Sequence, residues 1–536
     1  PFGSSPFGSR RLCFSPSAES ASQEEVGQHC MMLSRAAFTS WLLLGAMPLA
    51  ALGDVAAEEA VQCEGDACPT AADEAGFIQM MAPNSGTDFD LAEAGEPELR
   101  DSPSLVEGKE EHALLYDAIP SQTRTSLDGL ARASRKRGGR GKKICKFDNR
   151  QDCPIGSLSK RGFSAVMPVL SKWGTHCINA SSKYLFQVLP GRTDKLFFYF
   201  QDGGACWDTL SASIPYHGTK GACKEEIVLQ DEVGVFDTRE KLNPFADFTF
   251  VHVNYCSGDA HAGNNVMPWG RIAGYNNSRA ALAWAMSNMD NHLKDIVIAG
   301  ASAGSLGAQV WARTMLTTFS KGKRTYDNSL VVADSYLGIF PPKTQPMILD
   351  KVFGVCSVPL GRGWHGTCGK DLTVQEAFMQ TMSLFPRVPF LVVNSKDDST
   401  QKLFYAAISF TLKHQMVFLN AQQIYSAAAA ILQEYSRYPN FGVFQVDGEK
   451  HMFLPEERCR RPSGDCAGDM YDATPESPLG ALGHSGGTLS EWLAQGLRQR
   501  RIESKCAGVT RPFADGRPFP VTACQQDLVG KKVLLS

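Results

Sequence analysis

The chain lacks an excess of either charge: 53 Lys and Arg stand against 56 Asp and Glu, a net charge of −3. That balance excludes the basic footprint expected of a nucleic-acid-binding protein. No two of its 16 cysteines are spaced C-x-x-C, so the usual half of a zinc site is missing. No G-K-[ST] closes a phosphate loop. Apart from one stretch near the start, no apolar run is long enough to cross a bilayer. No internal repeat is present.

What is plentiful is cysteine itself. Twelve of the 16 lie from Cys145 onward, an even number that reads as disulfides in an oxidising compartment. Sequence does not fix their connectivity, although Cys206–Cys223 and Cys356–Cys368 would close short loops. The segment MMLSRAAFTSWLLLGAMPLAALGD supplies a route to that compartment. Arg35 precedes an apolar core over about 36–52, and small residues follow at Ala51 and Gly53, as in a cleaved secretory signal over 32–53. The alternative is an uncleaved anchor, since about 17 apolar residues sit at the lower limit for a span. Residues 1–31 read as upstream or leader sequence.

Residues 54–112 carry sixteen Asp or Glu against only Arg100 and Lys109. Such a segment buries too little apolar surface to offset its ordering entropy, so disorder is expected. The basic run RASRKRGGRGKK closes it at Lys143. That run is either a processing site that releases an acidic propeptide or a solvated linker. One ordered domain is expected over 144–536. There, apolar strands (195–204, 247–256, 295–302, 388–398) alternate with helical patterns (278–289, 309–319, 423–435), which predicts an α/β fold on a mainly parallel sheet.

The stretch DIVIAGASAGSLGAQVWA (295–312) concentrates the chemistry. Ile296, Val297 and Ile298 make a strand buried on both faces, and helical spacing begins at Leu306. Between them Ser302 sits in G-x-S-x-G, the strand-turn-helix elbow that exposes a nucleophilic serine. Gly300, Gly304 and Gly307 are not spaced as a dinucleotide fingerprint. A serine nucleophile needs a base and an acid to orient it, and in α/β-hydrolases the acid and then the histidine follow it in the chain. The strand FLVVNSKDDSTQ ends at Asp397 and Asp398, either of which fits as the acid. Of the histidines after Ser302, His365 precedes the acid and drops out. His451 follows a strand and an Asp447-Gly448 turn, where a loop-borne base belongs. His414, in a helix, and His484, in a glycine-rich loop, are the competitors. Acyl transfer also needs oxyanion donors. FFYFQDGGACW brings Gly203-Gly204 to a strand end, so the backbone N–H groups of Gly204 and Ala205 are expected donors, with Ala303 as the third.

In the same order, DGGACWD, NPFADFTFVHVNYCSGDAHAG and GASAGSLGA resemble motifs of the pectin acetylesterase and Notum family of secreted carboxylesterases. The resemblance runs from about Cys177 to Leu493. It implies an α/β-hydrolase fold and an acyl-enzyme route. Its Asp-x-x-Gln pattern selects Asp398, with Gln401, over Asp397, and its histidine matches His451. Two departures fall at the acyl pocket: Asp202 replaces the first of three glycines, and Ala205 stands where plant and animal members carry tryptophan.

The reading is therefore a secreted serine carboxylesterase with Ser302, Asp398 and His451 as its triad and no cofactor or metal. Its expected partner is an acylated polysaccharide such as acetylated pectin, or another extracellular ester, with no nucleic acid; a membrane enters only if the apolar segment stays uncleaved. The alternatives are a protein O-deacylase of the Notum type and a secreted glycan-binding pseudo-hydrolase without turnover. Asn179-Ala-Ser181 and Asn276-Asn-Ser278 are glycosylation sequons. Asp259 and His261 read as loop residues near the pocket, since an Asp-x-His pair falls short of a metal site's three or four ligands.

Overall fold

A computed structural model describes residues 144–149, 152–213, 221–362, 368, 372–456, 470, 488–507 and 532–535. The expectations for 1–143 (leader, signal, acidic segment and basic run) lie outside these residues, as do those for His365 and His484. The described residues all belong to one unit, Ala71–Ser536.

Fourteen strands are described. In chain order they are β1 Cys145–Phe147, β2 Ser164–Pro168, β3 Phe186–Leu189, β4 Arg192–Phe200, β5 Phe248–Val253, β6 Asn265–Met267 and β7 Gly270–Ile272. Then follow β8 His292–Ala301, β9 Thr325–Asp334, β10 Phe390–Ser395, β11 Phe441–Val446, β12 Arg501–Glu503, β13 Lys505–Ala507 and β14 Lys532–Leu534. Ten form one sheet in the order β1-β2-β3-β5-β4-β8-β9-β10-β11-β13. Every neighbouring pair in it is parallel except the two that involve β3. This mostly parallel, helix-covered sheet is the α/β-hydrolase-like architecture expected from the alternating pattern.

The central strands read as unbroken apolar runs because both faces are covered. Along β4, Leu196, Phe198 and Phe200 enter one core while Phe197 and Tyr199 enter the other. Along β8, Ile296 and Ile298 oppose Val297, Ala299 and Ala301 in the same way. The helix Ala303–Phe319 buries Leu306, Val310 and Trp311 on the first face, with Trp311 stacked on Phe200 and Tyr275. Truncating such a buried indole to alanine costs about 3–5 kcal/mol.

Cys145–Cys153, Cys177–Cys256, Cys206–Cys223 and Cys356–Cys368 are bonded, and Cys506 is also disulfide-bonded. Both short loops anticipated from spacing are closed. Cys459, Cys466 and Cys524 lie outside the described residues. Among the described residues, no helix is long and apolar enough to cross a membrane.

Candidate active site

The carboxyl ends of β4, β8, β10 and β11 lie along one edge of the sheet, and the loops leaving them meet there. Ser302 stands between the last residue of β8 and the helix Ala303–Phe319, with φ 55° and ψ −121°. A non-glycine residue at positive φ is strained, and surrounding structure has to hold it there. The flanking glycines show how tight the turn is. A Cβ on Gly300 would lie 2.0 Å from the Gly304 carbonyl oxygen, and one on Gly304 would lie 2.0 Å from that of Phe200. Small residues surround the serine because the elbow is packed backbone against backbone.

Asp398 is the N-cap of the helix Ser399–Lys413 and is fully buried. Its Oδ1 accepts the Gln401 backbone N–H at 2.9 Å, while Gln401 Nε2 donates to its Oδ2 at 3.0 Å and to Asn394 Oδ1 at 2.7 Å. The Asp-x-x-Gln spacing thus has a local physical meaning: one helical turn lets Gln401 hold the carboxylate twice. Asp397 turns the other way and pairs with Lys402 at 2.6 Å.

His451 follows β11 after the Asp447-Gly448 turn, whose Gly448 takes φ 98°. The buried pair Lys396–Asp447, 2.6 Å apart, ties that turn to the acid-bearing loop. The Nδ1 of His451 lies 3.0 and 2.8 Å from the two Asp398 oxygens, and its Nε2 lies 2.8 Å from Ser302 Oγ. Burial works to lower the imidazole pKa, but the charge and hydrogen bond of Asp398, helped by Asp334 and Asp202, raise it above 6.5. His414 sits at the far end of the Asp398 helix as its C-cap, at φ 53°.

Three further residues brace this arrangement. Asp334, the last residue of β9, accepts the N–H of Ser302 at its backbone carbonyl, 2.8 Å away. Its carboxylate accepts the N–H groups of Phe453 at 2.9 Å and Leu454 at 2.8 Å, and its neighbour Ser335 accepts that of Met452 at 2.8 Å. Tyr255 donates its hydroxyl to the Gly204 carbonyl at 2.9 Å and accepts the Ala260 N–H at 2.8 Å. Asp334 and Ser335 carried no spacing signal, since the loop N–H groups they hold are more than a hundred residues away, whereas Tyr255 stands in the NPFADFTFVHVNYCSGDAHAG stretch.

One oxyanion donor needs correcting. Gly203–Ala205 runs antiparallel to Ala222–Lys224, and the Ala205 N–H is given to the Ala222 carbonyl at 3.1 Å. Gly204, at φ 70°, occupies the position of that bridge whose N–H faces away from the paired strand. Gly204 and Ala303 both line the cavity beside Ser302, Ala303 in the first turn of its helix, where N–H groups have no intrahelical partner. Cys206–Cys223 fastens the two segments, and Lys224 closes them with a 2.9 Å bond to Asp202.

Asp259 and His261 are both buried, on either side of Ala260. Asp259 accepts the Ser257 hydroxyl at 2.7 Å and the N–H groups of Gly263 at 3.0 Å and Gly274 at 2.7 Å. Burial lifts its carboxyl to about 7 against those hydrogen bonds. His261 donates from Nε2 to the Gln201 carbonyl at 2.7 Å. Among the described residues, no three His, Cys, Asp or Glu side chains are grouped to hold a metal.

Beside Ser302 opens a cavity lined by Gly204, Ala205 and Ala303 at the serine and by Trp207, Phe340, Phe353 and Phe404 beyond it. Apart from the serine itself and backbone groups, its walls are almost wholly apolar.

No curated protein matches the sequence. Two crystal forms of the Wnt deacylase Notum from Drosophila are similar in structure. One is 16% identical, covering 52% of this chain and 83% of that one at a TM-score of 0.38. The other is 14% identical, covering 55% and 87% at 0.39. The pectinacetylesterase family model matches residues 168–440, which holds Gly203–Ala205, Ser302 and Asp398 and stops short of His451. That is more than half of the 536 residues, and the chain belongs to the pectinacetylesterase family.

Proposed function

We propose that the protein is a secreted serine carboxylesterase in which Ser302 is the nucleophile, His451 the base and Asp398 the group that orients it. The observation that carries this reading is the continuous chain Asp398–His451–Ser302, with contacts of 2.8 Å on each side of the imidazole. His451 takes the serine proton as Oγ attacks the ester carbonyl, and Asp398 stabilises the imidazolium that results. The N–H groups of Gly204 and Ala303 receive the negative charge that develops on the carbonyl oxygen. Loss of one such donor typically costs about 3–4 kcal/mol. Collapse of the tetrahedral species breaks the ester C–O bond, His451 returns its proton to the departing alcohol, and the acyl group stays on Ser302. Water, deprotonated by the same histidine, then attacks the acyl-enzyme and releases the acid and the free serine.

Family membership supports an ester hydrolase or deacylase, and an acetyl ester on an extracellular polysaccharide is the reading it favours. The cavity favours the other reading, an acyl chain longer than acetyl. Trp207, Phe340, Phe353 and Phe404 wall it with apolar side chains, and each further CH₂ buried against them contributes about 0.8 kcal/mol. The intact triad geometry counts against a binding module without turnover. The four disulfides are in keeping with secretion.

The test is a series of p-nitrophenyl esters from acetyl to dodecanoyl, run on the wild type and on Ser302→Ala. Turnover that vanishes in the variant supports the triad, and the chain length of highest kcat/KM assigns the acyl group. Undiminished turnover in Ser302→Ala would overturn the mechanism.

A further inference from the structure

The three peptide groups that follow the base are all held by two adjacent residues at the end of β9. Asp334 Oδ2 accepts the N–H groups of both Phe453 and Leu454, and its Oδ1 accepts the Ser335 hydroxyl at 2.7 Å. The Ser335 oxygen accepts the Met452 N–H. Met452 stands at φ 77° and Ser335 at φ 58°, conformations an L-residue leaves unless it is fixed. The backbone carbonyl of Asp334 simultaneously accepts the N–H of Ser302. One fully buried residue therefore touches the elbow that carries the nucleophile and the loop that carries the base.

We propose that Asp334, with Ser335, is a positioning device that sets the Ser302–His451 geometry by clamping residues 452–454 to the strand that supports the elbow. The inference rests on the triad reading above and adds to it the groups that hold the base in place. The local chemistry fits. Burial lifts the Asp334 carboxyl to about 6, and the two peptide N–H groups and the hydroxyl that it accepts work against that rise and hold the charged form. Loops that carry a base have to be placed to a fraction of an ångström, and a misplacement of about 1 Å can cost about 10²-fold in rate. His451 and Tyr199 both sense this carboxylate; His451 also faces Asp398 and Asp202, Tyr199 faces Asp202 and Glu456, and Asp202 is paired with Lys224. Of these, His451 senses the negative charge of Asp334, which adds to the rise in its pKa.

Three variants test the proposal: Asp334→Asn, Asp334→Ala and Ser335→Ala. Their kcat is measured per active site after titration with a phosphonate ester, so that a smaller folded fraction is not read as slower chemistry. The amide of Asp334→Asn has the shape of the carboxyl and keeps an oxygen for the two N–H groups. Its kcat should stay within about tenfold of wild type, while the acid limb of its kcat/KM profile moves to lower pH because a charge near His451 is gone. Asp334→Ala should lose about 10²-fold in kcat at unchanged KM for a short ester, and Ser335→Ala should lose less. If Asp334→Ala fails to fold, the other two decide. An unmoved acid limb in Asp334→Asn together with wild-type kcat in Ser335→Ala overturns the proposal. Ser302→Ala, assayed beside them, separates the two failures: turnover retained there removes the triad itself, whereas turnover lost there leaves the result on Asp334 to stand alone.

Discussion

Ser302 Oγ and His451 Nε2 lie 2.8 Å apart across 149 residues of chain. A hydrogen bond of that length between two nearly buried groups is the geometry a proton transfer needs before any substrate arrives. It forms because β8 and β11 end on the same side of the sheet, with β9 and β10 between them.

The two neighbouring acids should behave very differently. Asp398→Asn removes the charge that holds and stabilises the imidazole and should lower kcat by about 10⁴-fold. Asp397→Asn only loosens a lateral bond to Lys402 and should stay within about threefold of wild type. Steady-state kinetics of the pair check this, and the reverse ranking would show that the wrong carboxylate has been assigned.

The base should show itself in the pH profile. Only neutral imidazole accepts the serine proton, and Asp398 raises the His451 pKa in spite of burial. Ester kcat/KM should therefore be low in acid, rise through a midpoint above 6.5, and then level off. His451→Ala should abolish that rise along with nearly all turnover, whereas His414→Ala, at the remote end of the Asp398 helix, should leave both in place. A midpoint below 6.5 would mean that burial outweighs the carboxylate.

Acyl preference should follow the size of residue 205. Ala205 lines the cavity beside the serine, so Ala205→Trp would fill space that a longer chain needs. The ratio of kcat/KM for octanoyl to that for acetyl ester should fall at least about tenfold, the order expected when a few methylenes lose their pocket. An unchanged ratio would place the acyl chain elsewhere.

The two sequons should differ when the chain is made in a secretory host. Asn179 is partly exposed, and the N–H and hydroxyl of Ser181 both donate to its Oδ1, at 3.0 and 2.7 Å. One of its amide hydrogens is used by Glu226, which leaves the other for a sugar. Asn276 lies inside a helix, donates to Gly174 and Asn264, and is followed by the fully buried Ser278. Intact mass before and after enzymatic deglycosylation should show one glycan, lost in Asn179→Gln and kept in Asn276→Gln. A glycan on Asn276 in the folded protein would contradict the packing of that helix.

Sequence by itself determined those features whose physics is local. A run such as FVHV or IVIAGA can only be buried on both faces, so the central strands and the parallel sheet were legible, and so was the elbow, because G-x-S-x-G fits a turn that admits no side chain on either flank. Ser302, Asp398 and His451 were singled out by their order along the chain, and they meet because the strands that carry them end at the same sheet edge. The tertiary structure decided whatever depends on backbone groups far apart in the chain. Whether Ala205 can donate its N–H is settled by Ala222, which β-bridging brings alongside and which takes that N–H itself. The bracing of residues 452–454 is settled by Asp334 and Ser335, more than a hundred residues earlier. An N–H or a carbonyl is the same at every position but proline, so no residue pattern announces which of them will meet; only the packing of strands and loops settles that.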